Sequence, residues 1–192
     1  MAKKHEFKPD KPQTSLLSHL LLTSRQRKAC LKWGLYMLML LVLSILQDVL
    51  LCHFRIMGAS TELVPCGIFL ICLLEGSENG SIFSLVASAL YLFSGTAHGP
   101  YSMVAITVLA IVLCIFRQAF LQQGFSAAFL CTGAAMVLYE LCMFAFGLFL
   151  GLTLLSRIYG FLITAGLSLI AVPILYPILK AIGSIGGEAW KE

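Results

Sequence analysis

The chain has 192 residues, of which 59% are hydrophobic and only 11% charged, against roughly 25% charged in an ordinary soluble domain. With a mean hydropathy of +0.94 there is too little polar sequence to cover a soluble fold, so a soluble globular domain is excluded. The apolar stretches are continuous rather than alternating, which also excludes a β-barrel and leaves a polytopic α-helical membrane protein.

The net charge is +4, and its placement matters more than its size. Lys3, Lys4, Lys8, Lys11, Arg25, Arg27, Lys28 and Lys32 all precede the first long apolar run. By the positive-inside rule they put the N-terminus in the cytoplasm. Residues 1–32 therefore read as a cytoplasmic basic tail. Within it, the apolar island Leu16–Leu22 follows Thr14 and Ser15 and precedes Arg25–Lys28. It is either a helix lying on the inner membrane surface or a flexible segment. The first apolar run begins too far in for a cleaved signal peptide.

The first span is expected from Trp33 to Leu51, with Gln47 and Asp48 near its outer end. Two shorter apolar stretches follow, Leu63–Leu74 and Ser81–Ser94, on either side of the polar turn Glu75–Gly80. Neither reaches the ~20 residues of a full span without its flanks. They form two spans with polar ends, the preferred reading, or one re-entrant hairpin. Gly95–Pro100 is a turn by its chemistry, and a fourth span runs from Tyr101 to Phe116, ending at Arg117. Ser126–Leu155 is too long for one upright span and fits one long tilted helix. The last span is Tyr159–Leu179, interrupted by Pro173 and Pro177 and closed by Lys180. The expected fold class is an all-α integral membrane protein, a six-transmembrane-helix bundle. Its membrane domain covers residues 33–179, with both termini cytoplasmic and a C-terminal tail at 180–192. On that topology only Arg55 and Arg157 among the basic residues fall outside.

Soluble-enzyme motifs are missing: the sequence has no P-loop, no GxSxG and no HExxH. No catalytic residue, cofactor or metal site is expected, and no nucleic-acid partner, because basic flanks are a topology signal here. Asp48, His53, Arg55, Glu62 and His98 fall near the outer surface, but their spacing specifies no acid–base or metal chemistry. None of the seven cysteines forms a CxxC pair, so they read as small hydrophobes.

The sharpest residue is Glu140, a charge near the middle of a 30-residue apolar stretch. Mid-membrane it costs roughly 2.5–3.5 kcal/mol on insertion scales. Gly133, Glu140, Gly147 and Gly151 share one narrow helical stripe, which offers the carboxyl a protein environment rather than lipid. Two readings stand: a carboxyl that binds a partner, proton or ligand, or a protonated Glu hydrogen-bonded inside the bundle. Gly80, Ser84 and Ser88 form a second small-residue ladder, suited to an internal helix contact or to another membrane protein. Pro173 and Pro177 kink the last helix.

Several of these features occur together in a known order. They are Leu46-Gln47 late in the first span, Glu62 opening the second, the Gly-containing turn at Glu75–Gly80 and Gly99-Pro100-Tyr101 at the fourth. Tyr139-Glu140-Leu141 lies in the long fifth segment and Pro173-Ile174-Leu175-Tyr176-Pro177 in the last. In this order the sequence resembles the rod-shape-determining MreD family, over about Trp33 to Leu179. It departs from the family in lacking the proline before Glu62 and an Asp near the end of the third span, where Tyr91 and Leu92 stand. Ser84 and Ser88 take the place of glycines common there.

The resemblance implies a non-enzymatic scaffold of the bacterial cell-elongation machinery in the inner membrane. Such a subunit binds an MreC-like single-span protein and acts on peptidoglycan synthesis by RodA and a class B penicillin-binding protein. A rival of another class is the substrate-binding S component of an energy-coupling-factor vitamin transporter, also a small six-helix bundle. That reading expects an alanine-rich face on the first helix, and Trp33–Leu51 contains no alanine.

Overall fold

A computed structural model describes residues 24–50, 61–95, 97, 99–120 and 124–185. The Leu16–Leu22 island, Cys52, His53, Arg55, His98 and Lys191 lie outside the described residues. Among those described, every regular element is helical. In chain order they are α1 (Ser24–Ile45, continued by a π-helical turn, Leu46–Leu50), α2 (Leu63–Glu75), α3 (Ser77–Phe93) and α4 (Pro100–Phe120). Then come α5 (Phe125–Phe149), a 3-10 turn at Leu155–Arg157, α6 (Ile158–Leu169) and α7 (Val172–Ser184).

Three stretches are long and apolar enough to cross a membrane: Arg27–Val49, Pro100–Arg117 and Phe125–Phe149. A fourth is added if the bent pair formed by the 3-10 turn and α6 with α7 counts as one span. Their outward side chains are large and apolar, among them Leu38, Val108, Leu130 and Ile174. In water such a surface would aggregate, whereas in lipid it needs no cover. The chain is a membrane protein.

Helix α2 organises the rest. It has 13 residues, or ~20 Å of rise, well short of the ~30 Å hydrocarbon core. Every side chain from Leu63 to Leu73 is buried, and α2 packs against each of the other helices. A helix that is apolar on all sides belongs at the centre of a bundle, and that is where it lies. Its shortness has a consequence: its first N–H groups open inside the protein and need acceptors there.

Named contacts fix the directions of the helices. Lys32 meets Glu75 while Gln47 meets Leu63, so α1 and α2 are antiparallel. Gly76, at φ +94°, turns the chain from α2 into α3, a backbone conformation that glycine adopts without strain. Ser88 on α3 hydrogen-bonds Thr107 on α4 at 2.9 Å. Tyr101 packs against Phe146 at a tilt, and Phe144 meets Phe161 edge-to-face. Phe125 at the start of α5 meets Tyr176 of α7. The starts of α1, α3 and α5 thus gather at one end with the finishes of α2, α4 and α7.

Three boundaries differ from the sequence expectation. Helix α1 begins at Ser24, nine residues ahead of Trp33, so Arg25 to Lys32 are helical. Helix α5 stops at Phe149 and does not reach Leu155. There the Gly147 carbonyl accepts from the N–H groups of Leu152 and Thr153, and Gly151 takes φ +71°. These are the marks of a glycine-terminated helix. The last segment is two helices meeting at 48°, with the break at Ile170–Ala171. Pro173 lies in the first turn of α7, where a missing N–H is harmless, and Pro177 lies inside the helix.

Candidate functional site

Two buried polar nodes sit at opposite ends of α2. At its C-terminal end, Lys32 Nζ lies 2.5 Å from Glu75 Oε2, with both side chains under a tenth exposed. The Tyr36 hydroxyl donates to Glu75 Oε1 at 2.6 Å. The Arg117 guanidinium packs over Gly76, and Gly183 of α7 lies against the Tyr36 hydroxyl, where any larger residue would intrude. One carboxylate therefore ties α1 to α2, with α4 and α7 close around it.

At the N-terminal end, Gln47 Oε1 accepts from the N–H groups of Leu63 (2.9 Å) and Val64 (3.2 Å), while its Nε2 donates to the Tyr91 hydroxyl (3.4 Å). Ser168 Oγ accepts from the Glu62 N–H at 2.9 Å and donates to the Thr164 carbonyl. Side chains of α1 and α6 thus supply the acceptors that the opening turn of α2 lacks. The π-helical turn carries Gln47, and such turns often mark functional positions in a helix.

The same node contains Glu62, Tyr139 and Glu140, exposed by 2%, 0% and 2%. The Glu62 carboxyl is near enough to interact electrostatically with both Tyr139 and Glu140. Phe69 of α2 backs the Tyr139 ring edge-on at 6.2 Å. Glu140 Oε1 and the Tyr139 hydroxyl have no hydrogen-bond partner among the described residues.

The small-residue positions separate. Gly133 faces Leu169 of α6, and Gly147 faces Thr153 in the turn after its own helix. Gly151 lies beyond the helix end in open space. These glycines and Glu140 therefore meet different neighbours. The Gly80, Ser84 and Ser88 ladder is buried inside the bundle. A Cβ on Gly80 would stand 3.1 Å from the Cys72 backbone and from Cys114 Sγ. Asp48 is exposed, whereas Glu62, expected beside it at the outer surface, is interior. The described cysteines are free thiols, and no group of three or more His, Cys, Asp or Glu gathers among the described residues.

Between α1 and α3 runs an apolar groove of about 470 Å3, edged by Gly34, Met37, Leu41, Ser44, Ala87 and Ser94. Compared with protein-family models, curated proteins and solved structures, the chain matches none of them.

Sequence reasoning missed Lys32 as a buried partner, Gln47 as a cap and Glu62 as an interior acid. Each depends on a residue far away in sequence. The only local signal was polarity inside or beside an apolar stretch.

Proposed function

We propose that this protein is a non-enzymatic scaffold of the bacterial cell-elongation machinery, resident in the inner membrane. It would bind an MreC-like single-span protein and, through it, support peptidoglycan synthesis by RodA and a class B penicillin-binding protein. The observation that carries this reading is where the MreD-like residues fall. Gln47 and Glu62 form the head of α2, and Glu75 to Gly80 make the turn between α2 and α3. Pro100 opens α4, Tyr139 and Glu140 lie beside Glu62, and Pro173 opens α7. They are the positions that assemble the bundle, as expected of a family defined by its architecture rather than by a reaction.

On this reading the bundle crosses the membrane six times, α6 and α7 together making the last crossing. The end holding Arg25 to Lys32, Arg117 and Lys180 is cytoplasmic, as are both termini. The small residues edging the α1/α3 groove would let a partner's helix approach closely.

Depletion of the protein in its native rod-shaped host tests this. The expected result is rounding of the cells with dispersed insertion of new wall, reversed by re-expression. Normal shape with a specific loss of vitamin uptake would replace the scaffold with the S component of a transporter.

A further inference from the structure

The groove between α1 and α3 has a definite entrance. Trp33 and Tyr36 of α1 close on Phe83 of α3, with ring centroids 5.4 and 6.0 Å apart, and shut the gap toward the starts of both helices. Beyond that contact the groove opens over a buried floor of Leu40 and Val64. The way in passes over Gly34, which lines the groove and has nothing within 4 Å of where a Cβ would stand. Gly34 belongs to an exposed stripe of α1, in which Arg27, Leu31, Gly34, Leu38 and Leu41 recur every three or four residues. Leu38 and Leu41 edge the groove, while Arg27, with the exposed Lys28 beside it, heads the stripe. From Leu31 to Leu41 the helix rises about 15 Å, one leaflet's share of the ~30 Å hydrocarbon core.

We propose that this groove seats one acyl chain of an anionic phospholipid whose headgroup rests on Arg27 and Lys28. Charge selects the headgroup, because exposed cations where a helix enters the membrane attract anionic lipids. Glu78, the acid in the first turn of α3, lies about 120° round that helix from the groove residue Leu90 and so faces away from the entrance. Length selects a lipid chain over a transmembrane helix: the stripe from Leu31 to Leu41 covers one leaflet, whereas a helix crosses both. A second copy of the chain, related by a two-fold axis along the membrane normal, would bring Arg27 against Arg27. The apolar walls enclose about 470 Å3 and open to the bilayer, so hydrocarbon fills the groove without uncovering any polar group. The site does not depend on the scaffold reading, on which a partner's helix packs over the seated chain.

The test uses the delipidated full chain in mild detergent, titrated with phosphatidylglycerol or with zwitterionic phosphatidylethanolamine and read by native mass spectrometry. One phosphatidylglycerol should bind per chain, saturably and more tightly than phosphatidylethanolamine. Arg27→Gln combined with Lys28→Gln should weaken phosphatidylglycerol by roughly thirtyfold and remove the preference. Gly34→Trp keeps both cations but blocks the entrance, and should abolish the one-to-one complex. The open space around Gly34 lets that variant fold, which an unchanged Tm without lipid checks. Gly34→Leu repeats the test with a smaller side chain. Undiminished phosphatidylglycerol binding by both Gly34 variants would reduce the site to surface charge and overturn the proposal, as would equal affinity for the two lipids. A dimer, or a co-purified single-span protein in place of the lipid, lost in either case on Gly34→Trp, would assign the groove to that occupant instead.

Discussion

Lys32→Met is expected to destabilise the bundle by about 3–5 kcal/mol, the usual effect of removing one partner from a buried ion pair. Methionine fills the lysine stem's volume, so the loss comes from the charge. Glu75 would keep the Tyr36 hydroxyl and the nearby Arg117 guanidinium but would lose its direct ion-pair partner, with its side chain only 6% exposed. For a chain of this size that corresponds to a fall in Tm of roughly 6–20 °C, read by thermal unfolding in detergent. Lys32→Met combined with Glu75→Gln should recover most of the loss, because it removes the charge left without its direct partner and keeps an acceptor for Tyr36. A double variant as unstable as the single one would show that Glu75 matters for something other than this pair.

Gln47→Leu should be nearly as damaging for a different reason. A helix that begins inside a bundle has N–H groups that water does not reach. Gln47 accepts two of them, from Leu63 and Val64. Each buried donor left without an acceptor costs about 1–3 kcal/mol, so the pair amounts to about 2–6 kcal/mol. Gln47→Glu keeps the acceptor and puts a negative group at the positive end of α2, so it should retain far more stability. The same unfolding measurement compares the two variants. Equal losses would mean that Gln47 matters through packing rather than as a cap.

The contrast between these residues and the readily visible ones explains how much the sequence revealed. The turn expected at Gly95–Pro100 gives way to α4 at Pro100 itself, because proline fits readily into a helix's first turn. Glu140 is conspicuous because one charge in a long apolar stretch demands an interior environment, and it has one. The Gly80, Ser84 and Ser88 ladder repeats every four residues and packs inward as a single face. Local periodicity and composition suffice for all three.

Lys32 is another matter. Among the basic residues of the N-terminal region it looks like one more topology signal, and only the approach of α2's far end makes it half of an ion pair. Glu62 follows the polar pair Ser60-Thr61 and borders an apolar run, a pattern as natural at a membrane surface as in an interior. Its burial depends on α2 being too short to reach the surface, a property of the assembled bundle. The end of α5 at Phe149 was hidden because apolar sequence continues to Leu155. Backbone hydrogen bonding at Gly147, with Gly151 in the turn, ends the helix there rather than a change in hydropathy.

Co-purification tests most directly the proposal that this membrane bundle is a partner-binding scaffold of cell elongation. The tagged full chain would be isolated from its native host in mild detergent and its companions identified by mass spectrometry. Recovery of an MreC-like single-span protein, with or without the RodA and penicillin-binding-protein pair, is the result this account predicts. Recovery instead of paired ATPases with a coupling membrane subunit would contradict it and make the protein the binding subunit of a transporter.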